Sequence, residues 1–168
     1  IVEVQGGGAG GGQATGASYY IGGSAGGYAK KFIDVSSVTA SVISVGLGGA
    51  GSTVNGTAGA DGGDSSWVDT ASGGSSTVTG VKGVSVYAAY GQAVGGLATG
   101  GDINIQGGSG AVLGRRGGDS MLGFGGWNGW SGENIVEGGR GYGAGGGGAY
   151  GMTAGTGSAG VVIVWEYK

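Results

Sequence analysis

The chain has 168 residues, enough for one domain, and 51 of them are glycine, several times the ordinary share. Proline, cysteine and histidine are absent, which excludes collagen, a disulfide framework, thiolate or histidine metal sites and histidine-dependent hydrolases. A net charge of −3, with only 10% of residues charged, lacks both the basic footprint of a nucleic-acid binder and the charge density of a disordered coil.

The chain opens on the β-branched run I-V-E-V-Q at 1–5, which reads as a strand and, starting without Met, as a piece of a longer protein. It leads into G-G-G-A-G-G-G at 6–12. Ordering glycine costs about 0.5–1 kcal/mol per residue relative to alanine, so a packing that needs glycine must compensate. Polyglycine II helices meet that need. They have three residues per turn and no internal hydrogen bonds, and without Cβ atoms they approach closely enough to bond to one another. Similar runs recur at 46–51, 56–63, 95–101, 107–110, 138–148 and 155–160.

Between the runs, Y-A-K-K-F-I-D-V at 28–35 and T-A-S-V-I-S-V at 39–45 read as a hairpin turning near Ser36 and Ser37. A single turn accounts for G-A-D-G-G-D at 59–64; one imperfect copy is a poor calcium repeat. D-I-N-I-Q at 102–106 is a short strand, and V-V-I-V-W-E-Y at 161–167 is a closing strand placed to pair with the first or lie beside it, with both termini on one side. No segment keeps a helical period. The expected fold is therefore mainly β and irregular, one domain over 1–168 of short strands and packed polyglycine II helices, with essentially no α-helix.

Several of these elements together, G-G-Y-x-K-K-F-I-D-V, V-G-x-G-G-A-G, D-G-G-D-S-S-W, G-D-I-N-I-Q-G-G, Y-G-A-G-G-G-G-A and G-V-V-I-V-W-E-Y, stand in an order that resembles the glycine-rich C-terminal domain of bacteriophage or prophage tail fibre proteins. That resemblance implies a virion protein at the distal end of the tail fibre, extracellular when it meets the host. Its partners would be the rest of the fibre, in a homotrimer or as a monomer on a trimeric shaft, and a bacterial outer-surface receptor, either protein loops or lipopolysaccharide. A related architecture, the polyglycine II tip adhesin, binds through loops at its end. The resemblance implies no enzyme activity, no cofactor and no metal.

Three stretches interrupt the glycine with aromatics: 13–21, 75–94 and 122–136. Tyrosine and tryptophan on loops give a large contact area at small entropic cost. Tyr19, Tyr20, Tyr87, Tyr90, Phe124, Trp127 and Trp130 are therefore the expected receptor-contact residues, whereas Trp67, Trp165 and Phe32 lie in scaffold elements and are expected to pack. Lys82 and the pair Arg115-Arg116 are the basic residues suited to an anionic glycan. A structural fibre cap without receptor binding, or an ice-binding polyglycine II protein, are the alternative functions. The ten carboxylates define no cleft in the sequence, and nucleic-acid binding and membrane insertion find no support.

Overall fold

The computed structural model describes residues 1–14, 21–34, 36, 38–70, 76–87, 92–111, 116–127 and 136–167. These contain no α-helix; the architecture is strands and three-fold helices, as the composition demands.

The run 6–12 shows how the helices pack. Its amides point outward in rotation, three residues per turn. Gly6, Ala9 and Gly12 donate to Gly27, Ser24 and Ile21; Gly7 and Gly10 donate to Gly63 and Ala60; Gly8 and Gly11 donate to Ser158 and Gly155. Its carbonyls accept from three further segments, at Gly49 and Ser52, at Gly83, and at Gly146 and Ala149. One three-fold helix thus has six neighbours, which is hexagonal packing with all seven of its amides paired. The helices 21–27 and 143–149 are surrounded in the same way, and these three touch one another. All their residues are buried, and apart from Ile21 and Ser24 all are glycine or alanine. Among the described residues nine further helices close a ring around this triangle: 46–52, 57–63, 81–84, 93–97, 107–111, 116–119, 125–127, 136–139 and 154–160, each hydrogen-bonded to the next.

The ring has its own sequence rule. A ring helix faces neighbours on two of its three sides and solvent on the third, so one residue in three can carry a side chain. Seven ring helices read x-G-G-x: Leu47 to Ala50, Asp61 to Asp64, Val94 to Leu97, Gln106 to Ser109, Arg116 to Asp119, Phe124 to Trp127 and Glu137 to Arg140, with the named residues exposed or half-buried. The stretch 59–64 is accordingly helix and not the expected turn. Asp64 and Asp61 are spaced one helical turn apart so that their Oδ1 atoms accept from the Lys82 and Ser85 amides of the adjacent helix, at 2.8 and 2.9 Å.

Successive helices alternate in direction, and at one end of the bundle they run on into strands. β1 (Val2–Gln5) leads into 6–12, and 21–27 continues as β3 (Tyr28–Lys31). β2 (Gln13–Ala14) lies at the other end, paired in parallel with β11 (Ala149–Tyr150). β4 (Ser41–Ser44), β5 (Ser65–Asp69), β6 (Thr77–Gly80), β7 (Ala98–Thr99), β8 (Ile103–Ile105) and β12 (Val161–Val164) complete two four-stranded antiparallel sheets, ordered β12-β1-β3-β8 and β4-β5-β6-β7. Val2, Val4, Ala29, Trp67 and Val78 form the core between the sheets, joined by Ile33, Val38, Ala98 and Val162. β9 (Gly123–Phe124) and β10 (Arg140–Gly141) pair at this same end. The terminal strands pair as expected, Val2 with Val164 through Gln5 with Val161, and the Ile1 amino group donates to the Trp165 carbonyl at 2.8 Å.

The expected hairpin over 28–45 does not form. β3 pairs with β1 and β8 while β4 pairs with β5 in the other sheet, so the segment crosses the sandwich instead of folding back on itself. Trp67 is buried as expected, at 4% exposure, but Trp165 and Phe32 are not: they stand 51% and 61% exposed at the strand end. With Ile1, Ile33 and Tyr167, and the acidic Asp34 and Glu166, they line a groove there.

Candidate functional site

The alternation of helix direction sorts the connections. Those joined to strands lie at the sandwich end. At the opposite end the chain leaves and re-enters the bundle at residues 14 and 21, 52 and 57, 87 and 92, 111 and 116, 127 and 136, and 150 and 154. Tyr19, Tyr20, Tyr90 and Trp130, with Arg115, lie outside the described residues, between those flanks in sequence.

Two connections at this end, 52–57 and 150–154, are described throughout. The turn 52–57 is held by Ser52 and Thr57, whose hydroxyls lie 2.6 Å apart; Thr57 Oγ1 donates to the Val54 carbonyl at 2.7 Å, and the Val54 amide donates to Ser52 Oγ at 3.2 Å. Gly56 takes φ 76°, a left-handed conformation that suits glycine. The tip of Tyr87 approaches it: a Cβ on Gly56 would be 3.7 Å from the Tyr87 hydroxyl. Tyr87 remains 47% exposed. This is the expected contact residue that the structure seats at the end itself.

Phe124 and Trp127 are placed differently. The stretch 122–136 is not one loop: it contains β9 and the ring helix 125–127, with Phe124 at the sandwich end of that helix and Trp127 toward the connection end. Both side chains project from the side of the bundle, 71% and 63% exposed. The helix carrying them stands four places round the ring from 81–84, so the structure does not gather Tyr87, Phe124 and Trp127 into one surface. The stretch 75–94 is likewise no simple loop, since it holds β6 and the helix 81–84.

Phe124 and Trp127 have polar company that the sequence reading passed over. On one side Arg116 Nη2 and Asp119 Oδ1 pair at 2.7 Å, and Asp119 also accepts from the Gly125 amide at 2.7 Å. On the other, Arg140 Nη2 and Glu137 Oε1 pair at 2.7 Å. Both are i,i+3 pairs along three-fold helices and follow from x-G-G-x, the signal by which they were findable.

Glu3 and Asp61 have structural work. Glu3 accepts from the Tyr28 hydroxyl at 2.8 Å and pairs with Lys30 at 3.1 Å. Burial would raise its carboxyl, but the Tyr28 hydroxyl, the Lys30 ammonium and the Trp165 indole outweigh it and hold Glu3 below the usual range. Burial and the adjoining Glu3 push Tyr28 above its ordinary value. Lys82 pairs with Asp61 at 3.1 Å, which neutralises one of the basic residues expected to meet an anionic glycan. Among the described residues no group of three or more acidic side chains comes together to hold a metal ion. No protein-family model matches the chain, and no curated protein matches it.

Proposed function

We propose that the chain is a receptor-binding domain at the tip of a phage tail fibre, whose connection end meets a bacterial outer-surface receptor of protein or lipopolysaccharide. The observation that carries this reading is the sorting of the connections. A bundle pinned by backbone hydrogen bonds in three directions brings together at one end the six places where the chain leaves and re-enters it, and its sandwich and both described chain ends stand at the other. A rigid scaffold that collects its non-repetitive segments at one pole is the arrangement by which binding loops are held for contact. The proposed polarity sets the strand end toward the rest of the fibre.

Competition for adsorption tests it. The isolated domain should inhibit phage adsorption to a susceptible strain in a saturable, strain-specific way. Tyr87→Ala should weaken that inhibition without lowering the melting temperature. Full adsorption at saturating domain would count against the reading and favour a fibre cap.

A further inference from the structure

We propose a second binding surface, on the side of the bundle formed by helices 116–119, 125–127 and 136–139, that takes a neutral linear glycan across Phe124 and Trp127. It goes beyond the end-on reading, and it is tested by binding in solution, so either can fail without the other.

The geometry comes from the helix. Residues three apart on a three-fold helix point the same way, about 9 Å from each other at ~3.1 Å per residue. Phe124 and Trp127 are such a pair, both more than half exposed. Two exposed aromatic side chains at that interval match the length of a disaccharide, so alternate sugars of a linear chain running along the axis can lay their C–H faces on the rings. The platform is preorganised. The Gly126 amide donates to the Gly145 carbonyl at 2.8 Å, the Glu137 amide to the Trp127 carbonyl at 2.8 Å and the Gly117 amide to the Gly126 carbonyl at 2.9 Å, so binding orders little backbone.

The flanking side chains choose the partner. Phe124 stands opposite Arg140 in the β9–β10 pair, Trp127 is bonded to the residue carrying the Glu137 carboxylate, and Arg116 and Asp119 border the other side. Guanidinium and carboxylate groups donate to and accept from neighbouring sugar hydroxyls. Among the described residues two cations and two anions leave the strip without net charge, in a chain whose net charge is −3, which disfavours a polyanion. An apolar protein face is disfavoured by width, because the aromatic strip is one side chain across and bounded by charges.

Titration calorimetry with maltohexaose, cellohexaose and chitohexaose, and with heparin as a polyanionic probe, tests the proposal. At least one neutral hexasaccharide should bind saturably at millimolar concentration or below, and Phe124→Ala or Trp127→Ala should each weaken it tenfold or more with an unchanged melting temperature. Phe124→Leu and Trp127→Leu keep apolar bulk but lose the ring face and should weaken binding as much. No binding by any neutral hexasaccharide, affinity retained in the Leu variants, or tighter binding of heparin would each overturn it. Tyr87→Ala should leave this binding unchanged.

Discussion

A methyl group added to Gly8 would fall inside the carbonyl of Ala144, whereas one added to Gly12 would lie 3.3 Å from its nearest atom, the Thr57 carbonyl oxygen. Both glycines are buried in the same inner helix, so the difference is one of position along it, from the middle to the end. Gly8→Ala should therefore cost several kcal/mol or abolish folding, and Gly12→Ala should cost less than about 1 kcal/mol. Urea unfolding of the two variants separates them, and equal losses would show that the inner helix can shift as a body. The tryptophans provide the corresponding test among large side chains. Trp67 fills the sandwich core at 4% exposure, and replacing it by alanine should cost about 3–5 kcal/mol. Trp127→Ala removes a ring from the outer side of the bundle and should stay within about 0.5 kcal/mol. Thermal melts of the two variants would expose an error in either placement.

At the scale of elements, β1 and β3 are joined by charge as well as by their ladder. The Glu3 carboxyl is held below its ordinary value of 4.5 in the folded chain, so its contribution to stability is present above pH 4.5 and is lost as pH falls through the lower, folded value. The urea midpoint should drop on acidification below about pH 4.5, and Glu3→Gln should lessen that drop. Asp34, held low chiefly by the Ser36 amide, leaves a residual slope in the variant. Identical pH profiles for both proteins would remove Glu3 from the account. The same strands show where the sequence was readable. β1, β8 and β12 announce themselves as β-branched runs between glycines, and the terminal pairing follows from their places in the chain. The segment 28–45 misleads because its strands find partners far away, in β1, β8 and β5, and alternation carries no record of a partner. Asp61 and Asp64 mislead for a related reason, since their spacing answers to amides some 20 residues on rather than to a local turn. The x-G-G-x spacing stands in the sequence but went unread, and it recurs at Ile21 to Ser24 of an inner helix, so it does not by itself tell inner helices from ring helices. Once the ring is known, it sets Phe124 and Trp127 on one side of the bundle.

For the whole molecule, the balance of forces differs from that of an ordinary domain. The three inner helices bury peptide groups already bonded to six neighbours, and hydrocarbon is scarce among them. Outside the sandwich, the buried apolar residues among those described are Ile21 and a scatter of alanines. Exposing apolar surface raises the heat capacity on unfolding and exposing polar surface lowers it, with a usual net of about 12–15 cal/mol/K per residue. Unfolding this chain releases much peptide and little hydrocarbon, so its heat-capacity change per residue should fall clearly below that range. Its stability should accordingly vary less steeply with temperature than that of a domain of equal length. Differential scanning calorimetry over a range of melting temperatures, set by pH, gives the value directly. A result inside the usual range would mean that buried side chains hold the chain together and that the packed backbone is incidental. A low value with a single cooperative transition would mean that the bundle and the sandwich unfold as one body, bound by hydrogen bonds whose geometry only glycine permits.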